Sequence, residues 1–139
     1  MSKVPFEQAV SDAVKHDPRY APDAYHFLRD ALDTTMKTMQ KARKDAINHV
    51  SGAELCEGVR EYALQQFGPM VPTIFEAWNI RTTRDIGEMV FNLIHIGAFS
   101  RSDSDRVEDF EKVFLFEDAF EKPFLPVRSM SPAPSRRGR

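Results

Sequence analysis

Three side chains with acid–base character fall in one line. Glu88, Asn92 and His95 are spaced i, i+4 and i+7, which sets a carboxylate, an amide and an imidazole on one face of a helix. Such a row has the groups that general acid/base catalysis requires. Every amphipathic helix also has a solvated polar face opposite its apolar stripe, and that plainer reading ranks ahead. Cys56 would lie in the first turns of a helix, where a thiol pKa falls. The sequence places no base beside it, so a buried structural thiol is the better reading. The histidines 16, 26, 49 and 95 form no metal-ligand spacing with one another or with Cys56, and neither a metal nor a cofactor is expected. Trp78 would serve either as a partner anchor or as core, and core is preferred. Arg81 and Arg84, with Arg128, Arg136, Arg137 and Arg139 near the end, are the cations available to phosphates, RNA or an acidic partner.

No GxGxxG, P-loop, HExxH, paired CxxC or GxSxG pattern occurs, so no motif with known chemistry is present. Function has to be argued from architecture and charge.

The elements that carry these residues read as helices. Ser51 and Glu54 make a capping-box pattern, and Leu55, Val59, Tyr62, Ala63 and Phe67 follow at helical spacing up to Gly68-Pro69. Met70 to Trp78 reads as a short, mostly apolar helix, in which Pro72 must lie in the first turn or break it. Thr82 or Thr83 caps the next helix, with Asp85 near its positive end. Its stripe is Ile86, Met89, Val90, Leu93 and Ile94, and Gly97 ends it. Upstream, Phe6, Ala9, Val10, Ala13 and Val14 mark a helix broken at Asp17-Pro18. Pro22 opens another, with Tyr25, Leu28, Ala31, Leu32, Thr35, Met36 and Met39 on its buried face, ending between Lys41 and Ala46. Residues 46–50 read as extended. Gly58 and Gly87 sit inside helices, where Gly costs roughly 1 kcal/mol against Ala. Close backbone approach explains that cost, and the two helices are expected to cross there.

The chain has 139 residues, 42% hydrophobic and 29% charged, which is ordinary for a single globular domain. It has no apolar run long enough for a membrane span, and the N-terminus lacks a secretory signal pattern. With one cysteine no internal disulfide forms, and the reading is cytoplasmic. Net charge is −2, but it is divided. Residues 1–125 hold all 21 acids and 15 of the 19 Lys plus Arg, a balance of −6. Residues 126–139 hold four Arg and no acid, and their Pro/Ser/Arg composition reads as a disordered tail. Between Asp103 and Glu121 there are eight acids, and five of the eleven Phe fall between 110 and 124. Rings at that density must be sheltered, so this segment folds back on the helices as a hairpin or as short helices.

At DPRYAPDAYHFLRDALD, HVSGAELCEGVREYALQQFGP, WNIRTTRDIGEMVFNLI and DFEKVFLFEDAF the chain resembles a family of small bacterial proteins of unknown function, over roughly residues 6–124. The resemblance implies a bacterial cytosolic protein with one compact domain and a variable tail. It carries over no catalytic residue, ligand or partner.

The expected fold is therefore all-α, with about five helices in residues 1–125 and an appended Phe-rich segment, either a small β-hairpin or wing near 98–116 or short helices. Three functions compete. The first is a non-catalytic protein-interaction module, with a tail that reaches a ribonucleoprotein and a homodimer as a further expectation. The second is a winged-helix nucleic-acid reader, whose proposed wing carries five acids between Asp103 and Glu111 and would repel phosphate. The third is a small enzyme centred on His49 or on the Glu88/Asn92/His95 row.

Overall fold

The computed structural model describes residues 5–43, 50–99 and 106–125, with side chains at 40–43 left out. Among the described residues five α-helices form: α1 (Phe6–His16), α2 (Pro22–Arg43), α3 (Gly52–Phe67), α4 (Val71–Trp78) and α5 (Thr83–Ile96). Short 3-10 and π turns follow at Val107–Phe110, Glu117–Glu121 and Lys122–Phe124. The all-α expectation is met.

Local chemistry accounts for the boundaries. The Glu54 amide donates to Ser51 Oγ at 3.1 Å while the Ser51 amide donates to Glu54 Oε1 at 3.0 Å, a reciprocal cap for two otherwise unpaired N–H groups. Gly68 leaves α3 at φ +54, and a 3-10 turn, Gly68–Met70, leads into α4. Asn79 closes α4 in the left-handed region at φ 67. That conformation costs Asn less than most residues. Gly97, at φ 97, closes α5.

The core is one contiguous cluster. Tyr20, Tyr25, Leu28, Val59, Phe75, Ile86, Met89 and Leu93 lie at its centre, each almost wholly buried. Phe27 links Tyr62, Phe67, Phe75 and Trp78 at centroid separations of 5.4–5.7 Å. Trp78 is thus part of the aromatic core, as expected. The buried face of α2 also includes Ala24 and Phe27, which the sequence reading left out.

Of the two alternatives for the Phe-rich segment the short helical turns are the ones that form, and the expectation for the helix-interior glycines is corrected. Among the described residues of 98–116 there is no strand. Val107–Phe110 is a 3-10 turn whose Phe110 is buried against α5 and α3, and Phe116 and Phe120 pack on Phe75 at 5.6 and 5.4 Å. A two-stranded ribbon is marginal by itself. Single turns let each ring enter a pre-existing helical surface while Glu108, Asp109, Glu111, Glu117 and Asp118 stay exposed. The two helix-interior glycines do mark close approach, but not of α3 to α5. At Gly58 a Cβ would overlap the Thr35 hydroxyl of α2, and at Gly87 it would come within 2.6 Å of the Phe110 ring. Residues 46–49, expected to be extended, and the segment 126–139 lie outside the described residues, while Val50 is non-helical.

Candidate functional site

The acid–base row lies where α5 meets the α1–α2 corner. Asn92 is 7% exposed. Its Nδ2 donates to Asp17 Oδ2 at 2.9 Å and to the Tyr25 hydroxyl at 3.0 Å. Glu88, one turn earlier, accepts from Arg84 Nε at 3.1 Å and from Arg19 at 3.4 Å. Arg19 also grips Asp17 in fork geometry, at 2.8 and 2.6 Å, the strong bidentate arrangement. His95, one turn later, stacks on His16 at 4.4 Å with an interplanar angle of 21°.

The row is therefore neither a fully solvated face nor a free catalytic set. It is a latch that fastens the Asp17–Tyr20 corner to α5. The Asp17 carboxyl is held well below the usual range by its Arg19 hydrogen bond, with partial burial opposing and Asn92 adding to the effect. The Arg19 guanidinium is raised in turn, chiefly by Asp17. Burial pushes the Tyr20 phenol up, and its 2.5 Å bond to Asp85 pushes it further. Burial also raises Tyr25, against a lowering bond from Asn92.

Asp85 collects three donors: the amides of Arg81 and Thr82 at 2.8 and 3.1 Å, and the Tyr20 hydroxyl. The N-terminus of α5 is thus capped by the chain's own carboxylate. The candidate cations beside it are engaged. Arg84 pairs with Glu88 and Glu111, and Arg81 Nε bonds Asn79 Oδ1 at 3.1 Å. Helix α5 packs on α1 on one side and on the 107–110 turn on the other. A recognition helix would instead present its N-terminal residues to a groove of nucleic acid.

Cys56 is buried and its thiol is pushed up to about 12, mainly by burial, the opposite of an activated nucleophile. Among the described residues no group of three or more His, Cys, Asp or Glu is assembled that would hold a metal. His49 and the four tail arginines lie outside the described residues. No helix among the described residues is long and apolar enough to cross a membrane.

A different feature has the shape of a binding site. Helices α2 and α3 leave a groove of about 690 Å³ between their outer faces. Thr34, Thr38 and Met39 line one wall, and Glu57, Glu61 and Tyr62 the other. Its lining includes Gly58 and Thr35, the point of closest helix approach. Glu54 adds a third carboxylate to the lining, in which no Lys or Arg stands among the described residues. Arg60, outside the lining, reaches Glu57 at 2.9 Å and Glu61 at 3.7 Å. Such exposed pairs contribute about 0–1 kcal/mol, too little to withhold these carboxylates from another cation.

The sequence did not single out the groove. Its only trace there is a pair of i, i+4 repeats, Thr34/Thr38 and Glu57/Glu61, which read as ordinary solvated positions. Likewise Asp17 and Arg19 were legible only as a helix break, not as partners of Asn92 and Glu88, 75 and 69 residues away.

Comparison with known families, curated proteins and solved structures finds no match to this chain.

Proposed function

We propose that this chain is a non-catalytic interaction module that binds a protein partner through the α2/α3 groove. The observation that carries this reading is the groove itself: an open trough with threonine, Met39 and Tyr62 walls and an acidic rim. Helix grooves with an apolar floor and a charged border suit peptide segments of partner proteins. The acid–base row supports the same reading from the other side, because both Asn92 donor contacts are structural, one to Asp17 of the corner and one to Tyr25 of α2. The arginines of 126–139 would add attraction to an acidic or ribonucleoprotein partner.

The test is capture of tagged protein from native lysate, with and without nuclease, for the wild type and for Thr38→Trp. Thr38 is exposed, so a Trp there fills the groove without entering the core. A protein partner that survives nuclease and is lost with Thr38→Trp is the expected result. Partners that all vanish on nuclease treatment, or that ignore the groove variant, would overturn it.

A further inference from the structure

We propose that the resident occupant of the α2/α3 groove is this chain's own segment 126–139, held there by its arginines. The inference rests on the groove being the binding surface and names what fills it in the isolated protein.

Charge is the first argument. Among the described residues the groove lining carries Glu54, Glu57 and Glu61 and no Lys or Arg. Residues 126–139 carry Arg128, Arg136, Arg137 and Arg139 and no acid. Arginine suits carboxylates because its planar fork can bond both oxygens at once.

Shape is the second. Between its arginines the segment has Met130 and the run Pro132-Ala133-Pro134, with Val127 just before the first. A proline-rich run is biased to an extended conformation and loses little entropy on docking against an aromatic wall. Tyr62 and Met39 supply apolar surface for it, and the glutamates flank that surface.

Reach is the third. Fourteen residues span at most about 46–50 Å when extended, whereas a compact domain of this size has a radius of gyration of about 14 Å. From Leu125 the segment can arrive at any face of the helices. Because the contact is intramolecular, its effective concentration is in the range of millimolar. Individually weak Arg–Glu contacts then suffice for occupancy, and a partner that offers a better basic peptide, or a better anion for the arginines, would displace the segment.

The experiment uses the full chain with Ser135→Cys carrying a nitroxide. Cys56 is buried with its thiol pushed up, so the label goes to position 135. Amide signals of Thr38, Glu57, Glu61 and Tyr62 should lose most of their intensity relative to the reduced label, equally at high and low protein concentration. Glu57→Lys/Glu61→Lys, at two exposed positions, should restore them, as should high salt. Retained groove intensity, or broadening on another face, would sink the inference. Broadening that grows with protein concentration would also sink it, since the groove would then be taking a second copy's segment. Failure here with a groove-dependent partner still captured would leave the interaction-module reading intact, so the two are separable.

Discussion

Asn92 shows how much one buried amide decides. It joins a carboxylate on the α1–α2 corner to a phenol on α2, and nothing else within the latch bonds both. Asn92→Ala leaves the Tyr25 hydroxyl and an Asp17 oxygen without their partner, so it should destabilise the protein by about 1–3 kcal/mol, measured by urea denaturation. Asp17 gives the latch a pH signature. Its carboxyl is depressed in the folded protein, so its contribution is complete above the ordinary carboxylate pKa. It declines as pH falls below about 4 and is gone only below the lowered folded value. The stability gap between wild type and Asp17→Asn should therefore be constant from pH 7 to 5 and narrow toward pH 2. A gap that stays level into acid would show that Arg19 does not hold this carboxylate.

At the scale of elements, two glycines set how closely parts pack. Gly58→Ala gains up to about 1 kcal/mol in helix propensity. That gain opposes an overlap with three Thr35 side-chain atoms, and overpacking of this kind costs about 1–3 kcal/mol. Net destabilisation is expected. Thr35→Ala/Gly58→Ala should recover most of it, because among the described residues the Thr35 hydroxyl bonds only the Ala31 carbonyl of its own helix. A double variant no more stable than Gly58→Ala would mean that the strain is not at this contact. The Gly87–Phe110 approach is the corresponding seam between α5 and the C-terminal turns, and the Val113 amide donating to Thr83 Oγ1 at 3.2 Å reinforces it.

Across the whole molecule, the aromatic cluster ties early helices to late turns. Phe27 of α2, Phe75 and Trp78 of α4, and Phe116 and Phe120 of the last turns form one chain of ring contacts. Unfolding is then expected to be a single transition. Trp78 fluorescence and helical circular dichroism should give the same midpoint. Phe120→Ala should lower both midpoints together, with a loss of stability of about 3–5 kcal/mol. Separate midpoints would make the 107–125 region an independent unit instead.

What the sequence determined by itself was whatever depends on near neighbours. Caps at Ser51 and at Thr82 or Thr83, stops at Gly68 and Gly97, and most of the buried faces of α1, α2, α3 and α5 were readable because each rests on contacts within about one turn. The close approach at Gly58 and Gly87 was also legible, since a glycine inside a helix carries a cost that needs a reason. Which surfaces met there was not. The Phe-rich segment announced that it must be sheltered, yet its turns took shape from surfaces of α3, α4 and α5 that no local pattern describes. The latch between Asp17 and Asn92 and the groove between Thr38 and Glu61 belong to tertiary structure for the same reason. Each depends on groups distant in sequence meeting at distances that only the packed helices set.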